Sequence, residues 1–384
     1  MSIPNNKLLT IYQPNILSGE NGVRIQAEFE INGTIDVLWY EVESKYGQYL
    51  TYERLDGFLV GLLLYALKNE HDIQILGPVS ESLFFQLKKY VIPLISQVYG
   101  YKPINIICDN LVSGNLESLN AVGTGLSCGI DSFSTVYENM VNEDIEKFKI
   151  THFTLFNVGS HRDFGGKEAE NLFFERAIMA RKCADELGKE FISVNSNISE
   201  ILQLEFQPTH SFRSISAVLV LQKLFGVYYY SSSYHAKHFK LSNKDSAYYD
   251  IFNMSMLSTE NSKFYSTCPT ATRVEKTRMV AKYVPSHKYL NVCVHDGFNC
   301  GKCFKCTRTL LTLEIIGELD KFSHLFNIEA YESVRKKYIA KIIAYRDKDI
   351  FNQEISNEIL KTNFRIPIYS KFAAFYLKIR DFIK

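Results

Sequence analysis

The segment that decides the fold of this chain is Ser127-Cys128-Gly129-Ile130-Asp131-Ser132. It follows the apolar run 121–126 and precedes a helix-like stretch, so a strand, a short turn and a helix are predicted in succession. Backbone N–H groups and the positive end of the helix dipole converge at such a turn, where Ser127 and Ser132 add hydroxyl donors. Gly129 lets a ligand approach the backbone, and Asp131 can orient a hydroxyl or hold Mg²⁺. The segment predicts a phosphate site, with an ordinary capped strand–turn–helix junction as the alternative.

Length and composition indicate a globular protein with more than one domain. The chain has 384 residues, of which 46% are hydrophobic and 22% charged, enough apolar sequence for about two to three cores. The formal net charge is only +1, so no global field points to nucleic acid or to an anionic membrane. The sequence shows neither a signal-peptide core nor an apolar run of the roughly 18–20 residues that a membrane span needs. We expect a cytoplasmic protein with no membrane partner, and nucleic acid is not an expected partner.

Residues 1–115 are predicted to form an α+β domain. Apolar and polar residues alternate along 23–31, the pattern of a half-buried antiparallel strand, and an Asn-Gly turn leads to a partner strand at 34–42. Two helices are predicted, at 56–69 and 80–98. We find no catalytic motif in the sequence of this domain.

Residues 116–310 alternate between apolar strands and long helices, the pattern of a parallel α/β sheet. In such sheets ligands bind beyond the carboxyl ends of the strands. Residues 311–384 are predicted to be helical. Their basic end, 368–384, is predicted as an amphipathic helix that packs on the protein, with contact to a membrane surface as the alternative. The predicted strands of the sheet are 122–126, 153–158, 191–195, 227–231 and 289–294.

Four of the eight cysteines lie close together, at Cys293, Cys300, Cys303 and Cys306. Four thiolates in short loops suit tetrahedral Zn²⁺, and the absence of an evident open position predicts a structural site. An iron–sulfur cluster and four unrelated buried thiols are the alternatives on ligand grounds. His295 could replace Cys293 as a ligand, although a thiolate is favoured there.

The hexapeptide and the cysteine cluster together resemble a known enzyme family. Residues 127–132 resemble the Ser-Gly-Gly-x-Asp-Ser signature of the PP-loop ATP pyrophosphatases, with Cys128 where the second small residue is usually Gly. The downstream C-x6-C-x2-C-x2-C pattern, with Arg308 just beyond it, is similar to that of the 7-cyano-7-deazaguanine synthase family. The resemblance covers about residues 120–310. It implies an α/β, parallel-sheet PP-loop domain (adenine nucleotide α-hydrolase-like) with a zinc knuckle, to which this chain adds the N-terminal α+β domain and the helical C-terminus.

The resemblance also implies roles for single residues. Residues 127–132 would bind ATP with Mg²⁺ near Asp131. His161 lies in a turn similar to the family's Gly-Gln-x-His but shorter, and Arg213 is the one match to its Pro-Gly-Arg-Asn. Lys276 resembles the lysine of a helix that faces the nucleotide. Catalytic roles are therefore expected for four residues, Asp131, Lys276, Arg213 and His161. The alternatives are a surface cation for Arg213 and for Lys276, and a turn cap for His161.

The implied activity is that of an ATP-dependent ligase that forms C–N bonds. It would adenylate a carboxylate or amide of a small-molecule, peptide or protein acceptor, release pyrophosphate, and let ammonia or an amine attack. A homodimer is compatible with the sequence. A thiol at a helix N-terminus can be nucleophilic, so a sulfur-transfer enzyme that uses Cys128 is one alternative, although a packing role for this residue is favoured. A nucleotide-binding module without catalysis is the other alternative.

Overall fold

The structure, a computed structural model, describes residues 7–295 and 298–383. By its internal contacts the chain divides into two compact units, which are treated separately. The first unit consists of Met1–Leu126, Glu143–Ser232 and Ala236–Pro269, and the second of Ser127–Asn142, Ser233–His235 and Thr270–Lys384.

The first unit combines seven helices with thirteen strands that are spread along the described part of its sequence. Its helices are α1 (Asp56–Asn69), α2 (Glu81–Gln86), α3 (Ile92–Tyr99), α5 (Lys167–Glu186), α6 (Ile198–Leu202), α7 (Phe206–Leu219) and α8 (Asp250–Met256). The strands are β1 (Leu8–Tyr12), β2 (Asn15–Ser18), β3 (Val23–Ile31), β4 (Thr34–Val42), β5 (Asp72–Leu76), β6 (Val79–Ser80), β7 (Ile106–Cys108), β8 (Leu111–Val112), β9 (Ala121–Gly125), β10 (His152–Phe156), β11 (Glu190–Ser196), β12 (Phe225–Ser231) and β13 (Lys263–Thr267).

One large sheet, of eleven strands, runs through this unit in the order β13-β12-β9-β10-β11-β4-β3-β1-β5-β7, with β2 paired to β3. The five strands from β13 to β11 are all parallel to one another. Antiparallel pairs join β11 to β4, β4 to β3 and β3 to β1, and parallel pairing resumes from β1 to β5 and β7. The predicted α/β class with a mostly parallel central sheet is therefore confirmed.

The β3–β4 hairpin forms at the predicted residues. Its register pairs Val23 with Val42 and Ile31 with Thr34. The two turn residues, Asn32 and Gly33, both have positive φ, at 53° and 78°, as the preferred two-residue hairpin turn requires.

Helix α1 shows why this unit has a single continuous core. It is apolar on nearly every side and is buried on nearly every side, which is typical of a central helix. A Cβ on Gly57 would lie 2.6 Å from Val220 Cγ1, and one on Gly61 would lie 2.8 Å from Ser216 Oγ. Helices α1 and α7 therefore pack with their backbones close together.

The predicted boundary near residue 115 does not interrupt the sheet. Strand β4 comes from the predicted N-terminal domain and β11 from the predicted PP-loop domain, and the two pair directly, with Val42 opposite Val194. Side chains extend this junction, since the Asn197 amide binds the backbone of Trp39 and Val37 at 2.9 and 2.8 Å. The division into domains 1–115, 116–310 and 311–384 stays a prediction. The two compact units have different boundaries.

The second unit is helical. Its helices are α4 (Ile130–Val136), α9 (Arg273–Lys282), α10 (Ser286–Tyr289), α11 (Phe304–Ile315), α12 (Ile328–Ala344), α13 (Ile350–Lys361) and α14 (Ile368–Ile383). A π-helical turn, Tyr137–Val141, continues α4. The predicted helical C-terminus is confirmed. No helix of the described residues is long and apolar enough to cross a membrane.

The strand predicted at 289–294 is wrong. Residues up to Tyr289 form the short helix α10, and the backbone after it is irregular. The amides of Val292 and Cys293 bind the Asn299 side chain, at 2.9 and 3.2 Å, instead of a neighbouring strand. The fifth parallel strand is β13, in which Phe264 and Thr267 are buried.

Candidate anion site and metal centre

The loop 127–132 turns sharply at Cys128 before α4 begins. Cys128 has a φ of 57°, a left-handed backbone conformation that costs a side-chain-bearing residue about 1–2 kcal/mol. Its side chain is fully buried, and its carbonyl oxygen accepts a bond from the Asn291 amide at 2.9 Å. The positive φ explains why glycine suits this position, and the burial is consistent with a packing role for the thiol.

A side chain at Gly129 would make only ordinary van der Waals contacts. A Cβ on Gly129 would lie 3.4 Å from Ser127 Oγ and 3.8 Å from Asn291 O, which are ordinary contact distances. The Gly129 carbonyl oxygen accepts the first helical bond, from Phe133 N at 2.9 Å. The first N–H groups of α4 therefore begin directly after a residue that protein atoms do not crowd.

Two cations of α9 converge on Asp131. Arg273 Nη1 lies 2.9 Å from Asp131 Oδ1, and Lys276 Nζ lies 3.7 Å from the same oxygen. Lys276 is fully buried and Arg273 is nearly so. Their spacing of three residues places both on one face of α9. A capping box of Thr272 and Glu275 fixes the start of this helix and hence the position of both side chains.

A third cation, Arg308 of α11, lies beside them. Its guanidinium carbon is 4.1 Å from the centre of the Phe351 ring, and that of Arg273 is 5.3 Å from the same ring. Burial lowers the pKa of Arg308 to about 10, and the positive charge of Arg273 acts in the same direction. Within the described residues, the Arg308 guanidinium has no hydrogen bond or ion pair.

In the cluster of Asp131, Arg273, Lys276 and Arg308, one arginine keeps a donor available for an anion. Arg273 Nε is buried without a hydrogen-bond acceptor among the described residues. Acidic groups nearby are engaged with backbone: Glu354 Oε2 accepts from Arg273 N at 2.8 Å, and Asp349 caps α13. Buried donors without acceptors are costly. An anion with several oxygens is the ligand that would satisfy them.

Arg273 would compete with the predicted magnesium ion for the Asp131 carboxylate. Arg273 already pairs with the Asp131 carboxylate, so a metal there would share that group with a guanidinium. Mg²⁺ is commonly held by one or two carboxylates together with substrate phosphates and water. Magnesium binding at Asp131 stays a prediction.

The four predicted cysteines form one group. All four sulfur atoms lie within 4.8 Å of one another. For zinc–sulfur bonds of about 2.3 Å the edge of a tetrahedron is about 3.8 Å, and Cys293 Sγ and Cys303 Sγ are 4.0 Å apart. The group could therefore hold zinc after small side-chain shifts. The same group consists of cysteines alone, so His295 is not one of its members.

Backbone N–H groups stabilise the thiolates. Cys300 Sγ accepts from Cys303 N at 3.3 Å, and Cys303 Sγ accepts from Cys306 N at 3.4 Å at the start of α11. Burial opposes ionisation of Cys303, but donors from Val294 and Cys306 outweigh it and lower the pKa of this thiol to about 7. Such N–H···S contacts match what a metal-binding thiolate needs.

Asn299 holds the cysteine loops together and was not predicted from the sequence. Its side-chain oxygen accepts from Val292 N and Cys293 N, while its Nδ2 donates to Leu290 O at 2.9 Å and Leu325 O at 3.0 Å. It is 3% exposed. Nothing in the sequence marks it, because polar residues between metal ligands are usually solvated.

Gly301, between the first two ligands of the CxxCxxC run, cannot carry a side chain. Its φ is 75°, and a Cβ would lie 2.1 Å from the backbone oxygen of Asn327. We expect Gly301→Ala to lower zinc affinity at least about 10-fold, because the left-handed strain of about 1–2 kcal/mol adds to a backbone clash. Competition with a chelator of known zinc affinity measures this effect.

The control is Gly317→Ala. Gly317 has a φ of 76° but no atom within 4 Å of the added Cβ. It carries the same strain without the clash, so its zinc affinity should equal that of the wild type. Equal affinities for the two variants would contradict the steric argument.

Arg213 lies in the first unit and is fully buried there. Its Nη1 donates to Val158 O at 3.3 Å and to Asp163 O at 3.0 Å, and its Nη2 donates to Leu204 O. The close approach depends on Gly159, whose φ is 117° and whose Cβ would lie 2.5 Å from Nη1. Burial lowers the pKa of Arg213 to about 10. These contacts tie loops together without any ligand, so the clamp role stays a prediction.

His161 also lies in the first unit. It is 4% exposed and packs edge-on against Phe173, with ring centres 5.5 Å apart. Burial, with the charge of Arg176, lowers the pKa of His161 to about 3. The ring is therefore neutral near pH 7, and its catalytic role stays a prediction.

Of the four predicted catalytic residues, the structure brings Asp131 and Lys276 together, in the second unit. Arg273 and Arg308 join them and were not predicted as site residues, although both stand close to quoted motifs. No protein-family model, curated protein or solved structure matches this chain.

Proposed function

We propose that this chain binds ATP at the loop 127–132 and cleaves it to AMP and pyrophosphate in order to activate an acceptor. The observation that carries the proposal is the approach of Arg273 and Lys276 to Asp131 at the start of α4, with Arg308 over the same Phe351 ring as Arg273. A triphosphate offers the array of oxygens that such donors require. The signature-like sequence supports the same assignment.

The strand order of the first unit is consistent with a nucleotide site. Taken alone, the five parallel strands follow the order β11-β10-β9-β12-β13. The chain runs from β9 through β10 to β11 toward one edge of the sheet and then crosses to β12 and β13 on the other side of β9. Ligands of such sheets bind beyond the strand ends at this reversal.

In the proposed reaction an acceptor carboxylate attacks the α-phosphorus of ATP. The bond from that phosphorus to the bridging oxygen breaks, and pyrophosphate leaves. Ammonia or an amine then attacks the acyl carbon, AMP leaves with the C–O electron pair, and the nitrogen loses a proton. Lys276, Arg273 and Arg308 would stabilise the charge that develops on the phosphates, and the N–H groups of α4 would orient them.

The zinc knuckle would act through Arg308. Cys303 caps α11, Cys306 lies in its first turn, and Arg308 follows two residues later. A metal held by these cysteines would fix the start of the helix that carries the guanidinium. We therefore propose a structural zinc ion that does not contact the reactants.

Product analysis tests the reaction. The resemblance to 7-cyano-7-deazaguanine synthases suggests 7-carboxy-7-deazaguanine with ammonia as the first acceptor pair, followed by fractionated cell extract. We expect AMP and pyrophosphate in equal amounts, measured by mass spectrometry. ADP and phosphate would refute the assignment. Nucleotide binding without AMP formation from any acceptor would favour the binding module.

A Cys128→Ser substitution separates the ligase from a sulfur-transfer enzyme. The fully buried thiol acts in packing in our proposal, so we expect acceptor-dependent AMP formation within about twofold of wild type, since the hydroxyl is close in size. Loss of activity with nucleotide affinity intact would support a nucleophilic Cys128. Cys128→Gly, which relieves the positive φ, is the control for folding.

A further inference from the structure

The last helix, α14, has two very different faces. On its inner side it packs against α12, where Ser370 and Ala374 are buried and Ser370 Oγ donates to Lys336 O at 2.8 Å. On its outer side six large apolar side chains are between 42% and 72% exposed. These six are Ile368, Tyr369, Phe372, Phe375, Tyr376 and Ile379. An apolar surface of this kind usually marks an interaction site.

The outer side chains form one continuous stripe. At 100° per residue they fall within an arc of about 120°, and the helix of 16 residues is about 24 Å long. Lys371 and Lys378 border one margin of the stripe, and Arg380 borders the other. Arg380 also pairs with Asp381 at 3.3 Å. The two lysines have no ion pair among the described residues.

Most of the charge around the stripe is positive, and the one acidic residue of the helix, Asp381, is paired with Arg380 and Lys348. Residues 360–380 contain five basic residues and no acidic one, although the whole chain has a net charge of only +1. An apolar arc with cations on both margins is the pattern of helices that lie in the headgroup region of an anionic bilayer. The lysine stems can extend along the acyl boundary while their ammonium groups reach the phosphates.

We propose that the outer face of α14 binds an anionic lipid surface and lies flat on it. This departs from the expectation of no membrane partner, and it is independent of the proposed ATP chemistry. A second copy of the chain is a poorer occupant, because two such helices related by a two-fold axis would place one basic margin of the stripe against another basic margin. No helix of the described residues is suited to span the bilayer, so the contact is interfacial.

Vesicle flotation with the full-length chain tests the proposal. The probes are vesicles of phosphatidylcholine alone and of phosphatidylcholine with about 30 mol% phosphatidylserine. We expect binding to the anionic vesicles that weakens as salt is raised. Phe372→Ala with Phe375→Ala should lower the partition coefficient about 100-fold or more, since two buried aromatic side chains are lost. Lys371→Gln with Lys378→Gln should lower it about 30-fold.

The matched control is Phe85→Ala with Phe164→Ala, two phenylalanines that are each 51% exposed in the first unit. This control should bind like the wild type. Alanine favours helix, so loss of binding by the α14 variants would not reflect an unfolded helix, and circular dichroism verifies this. The proposal is overturned if the wild type binds neither vesicle, if it binds both equally, or if it is a dimer that the Phe372 and Phe375 variants dissociate.

Discussion

Lys276→Met is expected to weaken Mg-ATP binding about 100-fold, because it removes a charged donor worth roughly 1.5–3 kcal/mol from a phosphate contact. The methionine keeps the length of the buried stem, and Arg273 remains paired with Asp131 at 2.9 Å, so the carboxylate is not left alone. Isothermal titration of the purified variant with Mg-ATP measures the change. Acceptor-dependent AMP formation should fall in parallel.

The control lies on the same helix. Lys282 is exposed in the last turn of α9, and Lys282→Met removes the same charge from the same element. Its affinity for Mg-ATP should stay within about twofold of the wild type, as screening reduces the influence of an exposed charge. Equal losses in the two variants would mean that α9 contributes only general charge, and no loss in either would remove Lys276 from the site.

Cys303→Ser is expected to abolish stoichiometric zinc binding and to lower the unfolding temperature by about 10 °C or more, since structural zinc contributes several kcal/mol of folding free energy. Cys303 is central because it is one of the four sulfurs and also caps α11. Elemental analysis of the purified variant and a thermal melt measure these effects. Because Arg308 lies on α11, Mg-ATP affinity should decrease as well.

Cys108→Ser is the matched substitution outside the metal group. Cys108 is partly buried in the first unit, and its sulfur lies 3.4 Å from the carbonyl oxygens of Gly77 and Asn110, contacts that a serine hydroxyl can retain. Zinc content and nucleotide affinity should not change. A Cys303→Ser protein with one equivalent of zinc and an unchanged melting temperature would contradict the four-cysteine assignment.

Local elements were largely predictable, since their information lies in neighbouring residues. The alternation in 23–31, the Asn-Gly turn and the short cysteine spacings predicted the hairpin and the metal group. The strand expected at 289–294 does not form, because a contact with a residue outside that stretch decides its backbone hydrogen bonds. The apolar residues of this stretch do not reveal that the backbone N–H groups of Val292 and Cys293 donate to the buried side chain of Asn299.

The candidate anion site was predicted only in part. The sequence pointed to Asp131 within its loop and, through a resemblance, to Lys276. It did not single out Arg273 as the partner of this aspartate, or Arg308 as the neighbour of Arg273 over the Phe351 ring, because arginines at helix starts are common and most are solvated. For Arg213 the resemblance suggested a phosphate clamp. In the structure its guanidinium is fully buried and donates to backbone carbonyl oxygens of Val158 and Asp163.

The sequence by itself determined the local chemistry: a signature-like turn before a helix, four thiols at metal-binding spacing and a basic amphipathic end. These depend on periodicity and short spacing. Only the tertiary structure decided that the predicted N-terminal strands continue the parallel sheet through the β4–β11 pair, and that Arg273 and Lys276 meet Asp131. These contacts join residues more than a hundred positions apart, so they follow from the path of the chain and the packing of its helices, which no short stretch of sequence specifies.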